Sequence, residues 1–270
     1  MRSGLEDLPR CTRRLALNNA MLKIENLNKS FGGVAATNNV TLNFEEGSLN
    51  AIIGPNGAGK TTFFNLITGA FRPDSGRILL KGENIAGLTA PEIARRGIGR
   101  AFQIAQIFPT LSVYEAIVAT VTAHRHRHGS VARRFPLAEA MGRAQEVMEL
   151  VGMSARADTL SRNLSHGDQK LLDIALALAL QPQVLLLDEP TAGMGPEERW
   201  QMMDTVRALW QREKITVIFI EHDMDIVFEV AQRIRVLSYG SVLAEGTPDE
   251  IRNHPEVIKA YLGTEHPELQ

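Results

Sequence analysis

The chain has 270 residues, 44% hydrophobic and 22% charged, with a formal net charge of −2; it is long enough to bury a full core and carries no global basic field of the kind that binds nucleic acid. A single cysteine, Cys11, excludes an internal disulfide. The longest apolar stretch, Leu171–Leu180, already contains Asp173 and is about half the length a membrane-spanning helix needs, so a membrane role would require another chain to do the crossing.

Residues 1–20 sustain neither helical nor strand periodicity and hold no apolar run long enough for a secretory signal; a disordered tail is expected there. Regular patterning begins at Met21. From Leu22 to Leu80 short strands are broken by turn residues, and Val40, Leu42 and Phe44 alternate with polar neighbours as in a half-buried strand. Leu49–Gly54 is a continuous apolar run, the pattern of a strand buried on both faces. A helix is expected from Gly59 to about Ile67, stopped by Gly69.

Between about 90 and 180 the pattern turns helical. Thr89 with Glu92 and Ser112 with Glu115 have capping-box spacing, and a third helix is expected from about Leu137 to Val151, ended by Gly152. The stretch His124–Phe135 alternates histidine with arginine; cations beside each imidazole favour a solvated basic loop over a metal site. Strand and helix then alternate: Val184–Leu187, a helix over Pro196–Glu213, a strand over Ile215–Ile220, and a helix starting near Asp223. A capping box at Thr247 and Glu250 opens a tail that ends in a short helix around Val257–Leu262. The expected class is α/β: a mostly parallel sheet with flanking helices, an N-terminal antiparallel β part and an inserted helical subdomain at about 90–180.

Three stretches carry chemistry. GPNGAGKTT, covering Gly54, Pro55, Asn56, Gly57, Ala58, Gly59, Lys60, Thr61 and Thr62, is a P-loop between an expected strand and an expected helix, the context the motif requires. Its backbone N–H groups and helix start favour phosphate. Lys60 is placed to reach the β- and γ-phosphates, and Thr61 to offer a hydroxyl to Mg²⁺. In VLLLDEP, Asp188 and Glu189 end a buried strand: the aspartate can hold Mg²⁺ through water, and the glutamate can orient or deprotonate an attacking water. The third stretch, NLSHGDQK, starts a helix with Ser165 as N-cap.

LSHGD resembles the signature sequence of ABC ATPases. Gln103 in GRAFQ is similar to that family's Q-loop glutamine, His222 in IFIEHD to its switch histidine, and Phe31 in KSFGG to the aromatic residue that stacks on adenine. The elements occur in the family's order, and the resemblance covers residues 21–262, leaving a C-terminal tail at 263–270. Within the family, GIGRAFQ, IFPTLSVYEAI, EPTAGM, EHDMDIVFEVAQRI and VIKAYLG resemble the ATP-binding subunits of branched-chain or hydrophobic amino-acid importers. Related urea importers, lipopolysaccharide exporters and soluble ABC ATPases of DNA repair or translation are the alternatives.

The resemblance implies an ATP-hydrolysing subunit at the cytoplasmic face of a bacterial inner membrane. It implies ATP and Mg²⁺ as ligands, a second ATPase subunit, two membrane permeases and a periplasmic solute-binding protein. Gln103 would sense Mg²⁺ and water, Glu189 activate the water, and His222 contact the γ-phosphate. Ser165 and Gly167 would touch the nucleotide of the neighbouring subunit. Two positions depart from the family: Asp168 replaces the glutamine that closes the signature, and Gly195 stands where an aspartate is usual. Both lie where ATPase subunits meet, which favours a heteromeric pair.

Overall fold

The computed structural model describes residues 20–125 and 138–265. The expected N-terminal tail, most of the basic stretch from His124 and the end of the C-terminal tail fall outside them.

β1 (Ala20–Phe31) and β2 (Val34–Glu45) form a hairpin through Gly32 and Gly33, both at positive φ, and β4 (Ser75–Leu80) and β5 (Glu83–Asn84) complete an antiparallel sheet in the order β2-β1-β4-β5. The remaining strands are β3 (Leu49–Ile53), β6 (Ile98–Ala101), β7 (Val184–Asp188), β8 (Thr216–Ile220), β9 (Arg233–Ser238) and β10 (Ser241–Gly246). They form a six-stranded sheet in the order β10-β9-β3-β8-β7-β6, parallel except where β10 folds back on β9. Every residue of β3, β7 and β8 is buried, which accounts for their unbroken apolar sequences.

Those central strands supply both cores by alternation. Ala51, Ile53, Leu185, Leu187, Val217 and Phe219 face one cluster, shared with α3 (Val113–Arg125), α4 (Ala138–Leu150), α5 (His166–Ala179) and α6 (Pro196–Glu213). Ile52, Leu186 and Ile218 face the other, under the antiparallel sheet, where α1 (Lys60–Ile67) and α2 (Ala90–Arg95) bury Phe63, Phe64 and Ile93. Three shorter helices close the chain: α7 (Met224–Val230), α8 (Pro248–Arg252) and α9 (Pro255–Glu265). Among the described residues no helix is long and apolar enough to cross a membrane.

The three capping boxes form, with Glu92, Glu115 and Glu250 accepting from the backbone N–H of Thr89, Ser112 and Thr247 at 2.8, 2.9 and 2.7 Å. The span 90–180 is not helical throughout, because β6 lies within it and pairs in parallel with β7. Its sequence, IGRA, hides a strand behind a glycine: a Cβ on Gly99 would sit 3.2 Å from the Ala177 carbonyl oxygen and from Pro182. The last helix also runs to Glu265, beyond its expected end at Leu262.

Arg235 stitches the two sheets together. It is 1% exposed on β9, donates to Asn50 on β3 and to the Asn43 carbonyl on β2, ion-pairs with Glu245 on β10 at 3.1 Å, and lies 4.3 Å from the Phe44 ring centroid. Burial pulls its pKa down to about 10, which leaves it charged at neutral pH. Arg235→Met should therefore strand two buried acceptors and lower the unfolding free energy by about 2–4 kcal/mol, measured by urea denaturation. An unchanged midpoint would show that packing over Phe44 alone holds the sheets.

Candidate active site

The P-loop turns from the end of β3 into α1 along a path that only glycine can follow at two points. Gly54 (φ 155°) and Gly59 (φ 98°) leave no room for a Cβ, which would meet the Leu237 and Ala36 carbonyl oxygens at 2.2 and 2.1 Å. The loop is thus pressed between the β1–β2 hairpin and the end of β9, and the Gly240 N–H donates to the Ala58 carbonyl at 3.1 Å. Asn56, Gly57 and Thr61 are exposed, while Ala58 and Lys60 are buried. Lys60 folds back on the loop and donates to the carbonyls of Gly54 at 2.5 Å and Pro55 at 3.2 Å. Burial lowers its pKa, and the carboxylates of Glu189 and Asp188 partly offset that.

Glu189, just past β7, adopts a left-handed backbone (φ 50°), an uncommon conformation for a side chain of this size. Its N–H donates to the Ile220 carbonyl at 3.0 Å, which fixes the β7 end against β8. The carboxylate is held from two sides: Gln103 Nε2 donates to Oε2 at 2.6 Å, and His222 Nε2 lies 2.9 Å from Oε1. A carboxylate can only accept, so the imidazole donates from Nε2. Gln103, Glu189 and His222, each placed in the site from sequence, meet from three separate strand ends.

The matching family model describes an ABC transporter and covers residues 37–192. The chain belongs to the ABC transporter family. It is an ATP-hydrolysing cassette of that family. A second model, a branched-chain amino acid ATP-binding cassette transporter, matches residues 241–267. Two similar curated proteins are the high-affinity branched-chain amino acid transport ATP-binding proteins LivG of Salmonella typhimurium and BraF of Pseudomonas aeruginosa. Each is 39% identical over 92% of this chain and 99% of its own length. Among solved structures, a nucleotide-free ATP-binding cassette from an ABC transporter matches with a TM-score of 0.79 at 30% identity, covering 90% of this chain and 98% of its own. The ADP conformation of an ATP-binding cassette of an ABC transporter matches at 0.80 and 29%, covering 90% and 99%.

Asp188 and Arg100 lie on the neighbouring strands β7 and β6 of the parallel sheet. Asp188 is buried and ion-paired through Oδ2 with Arg100 at 2.6 Å. Arg100 also donates to Asn65 on α1 at 2.7 Å and lies 4.7 Å from the Phe102 ring centroid. Sequence reasoning missed this guanidinium, since one arginine in a glycine-rich run gives no signal of its own. Phe31 is 43% exposed at the end of β1, packs edge-on against Phe71 at 5.2 Å and carries the Lys29 ammonium over its ring at 5.4 Å, so it is no core residue.

The signature departs from the family in a way the structure accommodates. Ser165 caps α5 by accepting the Asp168 N–H at 3.2 Å, and its own hydroxyl donates to Asp168 Oδ2 at 2.8 Å. The same oxygen pairs with Arg156 at 3.1 Å. The negative charge expected to face outward at this helix start is therefore turned inward and paired. Gly195 is the N-cap of α6 and donates its N–H to Glu198 at 3.2 Å, a role that needs no side chain. Among the described residues, no hydrogen bond joins Ser165 or Gly167 to the chain's own P-loop.

Three further buried charges were not singled out for the site from sequence. Glu221 accepts from the Thr191 N–H and hydroxyl at 2.9 and 2.8 Å, and burial raises its pKa. Lys170 donates to the Glu189 carbonyl at 2.7 Å. Asp173, which interrupts the apolar run, accepts from the N–H of Phe102 at 2.7 Å and of Gln106 at 3.1 Å. Desolvation raises the Asp173 pKa to about 6, against the N–H donors and nearby cations that lower it. Between the ordinary value of 3.8 and about 6 the folded chain holds a proton there that the unfolded chain has released, so stability present at low pH is lost as pH rises through about 6. The stability of Asp173→Asn relative to the parent should rise by about 1 kcal/mol between pH 5 and pH 8, measured by urea unfolding. A difference that does not change with pH would place the Asp173 pKa in the ordinary range.

Proposed function

We propose that this chain is the ATP-hydrolysing subunit of an importer for branched-chain or other hydrophobic amino acids. The chemistry rests on one observation: Gln103 and His222 hold the two oxygens of Glu189 at 2.6 and 2.9 Å, at the strand end beside the P-loop. On this reading ATP lies along Gly54–Thr62, with the base against the exposed Phe31 ring. Lys60 exchanges its hold on the loop carbonyls for phosphate oxygens, which are better partners for an ammonium group. Glu189 accepts a proton from the attacking water. Each of its oxygens keeps a lone pair for that water while Gln103 and His222 fix the carboxylate plane.

Mg²⁺ fits the donors available. Thr61, Gln103 and Asp188 offer hydroxyl, amide and carboxylate oxygens, the hard ligands this ion takes. Among the described residues no group of three His, Cys, Asp or Glu side chains forms a cage, which suits an ion held by few protein oxygens and by substrate phosphates. When bound, Mg²⁺ would neutralise charge on the transferring phosphoryl group.

The solute assignment leans on the C-terminal segment. A sulfate/thiosulfate import ATP-binding protein of Thermosynechococcus vestitus is 37% identical over 90% of this chain, so the cassette body alone does not separate solutes. Residues 241–267 match the branched-chain group, and LivG and BraF match over their whole length. The partners are then a second ATPase subunit, two membrane permeases and a periplasmic binding protein. The pair is heteromeric, with Ser165 and Gly167 facing the other subunit's nucleotide at the cytoplasmic face of the membrane.

Glu189→Gln in the assembled transporter should keep ATP affinity but slow phosphate release by about 10²–10⁴-fold, because an amide cannot take the proton. Uptake of radiolabelled leucine should stop with it. Normal turnover would remove Glu189 from its role, and parent vesicles that take up no hydrophobic amino acid would overturn the solute assignment. Phe31→Ala should cost about 1–3 kcal/mol of nucleotide affinity by titration with a fluorescent ATP analogue, while Phe31→Tyr keeps it.

A further inference from the structure

One turn of α5 carries two buried ionic side chains that face different parts of the hydrolysis site. Lys170 is 3% exposed and Asp173 is 4% exposed, and charged groups are almost never buried to that extent without specific partners. Their partners are backbone groups. Lys170 Nζ donates to the carbonyl of Glu189 at 2.7 Å, the residue held at φ 50°. Asp173 collects the N–H groups of Phe102 and Gln106 with its two oxygens, at 2.7 and 3.1 Å, and so clamps the loop that bears Gln103. The two residues lie three apart, on one face of the helix.

We propose that Lys170 and Asp173 are a positioning pair: through the backbone they set Glu189 and Gln103 relative to each other and tie both to α5. Neither touches the reacting atoms. The inference rests on the ATP-hydrolysing reading above, in which the N-terminal end of α5, with Ser165 and Gly167, meets the nucleotide of the other subunit. A rigid 14-residue helix then has one end on the neighbour's nucleotide and, one turn further along, the two grips on its own catalytic groups. A shift of α5 on docking moves Gln103 and Glu189 together. The geometry explains why the pair is charged. A buried ammonium and a buried carboxylate hold backbone dipoles more tightly than neutral side chains, and leave a costly unpaired group if the contact slips.

The test compares Asp173→Ala and Lys170→Met with the conservative Asp173→Glu and Lys170→Arg, in the full chain and in the assembled transporter. Misplacing a catalytic group by about 1 Å costs on the order of 10²-fold in rate, so the two disruptive variants should lower kcat by about that factor. KM and affinity for ATP should stay within about 2-fold, because the phosphate cradle is untouched. The conservative variants should recover most of the rate. Combining Asp173→Ala with Lys170→Met should cost less than the product of the single losses, since both act on one constellation.

Hydrogen exchange gives a readout independent of turnover. The amides of Phe102 and Gln106 should exchange faster in Asp173→Ala and stay protected in Lys170→Met. Where the alanine variant does not fold, Asp173→Asn replaces it, leaving one acceptor for two donors. The pair is overturned if kcat is unchanged, if ATP affinity falls as far as kcat, if the conservative variants do no better than the disruptive ones, or if the two amides stay protected without Asp173. Glu189→Gln separates the two ideas: full turnover in that variant sinks the hydrolysis reading, whereas the amide protection tests the clamp whatever Glu189 does.

Discussion

The site is governed by the need to compensate buried charge at one edge of the parallel sheet. Strands β3, β6, β7 and β8 are parallel, so their C-terminal ends come to the same edge and deliver Lys60, Arg100, Asp188, Glu189 and Glu221 into a small volume. Removing such groups from water costs several kcal/mol each unless each finds a partner. Each does: Lys60 on loop carbonyls, Arg100 on Asp188, Glu189 between Gln103 and His222, and Glu221 under Thr191. The cations and carboxylates are interleaved, and the P-loop, the Asp188–Glu189 strand end and the His222 turn are held by the same interactions that make them reactive.

That compensation is also what makes the site adjustable. Lys60 and Arg100 occupy partners that a triphosphate and a cation could replace, the first on Gly54 and Pro55 and the second on Asp188. On the proposed reading, ligand binding would be an exchange of partners among groups that are already desolvated. Glu189 is held differently. Its backbone is fixed by Ile220 and Lys170 and its side chain by Gln103 and His222, so the group proposed to take a proton is anchored at both ends.

The signature region shows how a departure from a family pattern can be absorbed locally. Unpaired, Asp168 would put a bare carboxylate at the start of α5. Arg156 and the Ser165 hydroxyl take it up instead, and a negative group in the first turn of α5 also suits the helix dipole. Gly195 is similar, since its N–H caps α6 through Glu198 and its missing side chain affects only what faces outward. Neither departure touches the Gln103–Glu189–His222 constellation or the P-loop.

The P-loop, the Asp188–Glu189 pair, Gln103, His222 and the alternation of strands and helices were legible in the sequence. Each depends on local rules: glycine where the backbone must turn inward, an apolar run ending in a carboxylate, capping residues at helix starts. β6 was not legible, because its glycine answers to Ala177 and Pro182, which are remote in sequence. Arg100, Lys170, Asp173 and Arg235 were not recognised as structural for the same reason. A buried charge is tolerated only through partners that folding brings to it, and theirs lie 10 to 192 residues away. The sequence alone determined which groups this protein can use on a nucleotide. Only the tertiary structure decided what each holds on to, because partner choice depends on where parallel strands end and on how much water is excluded there.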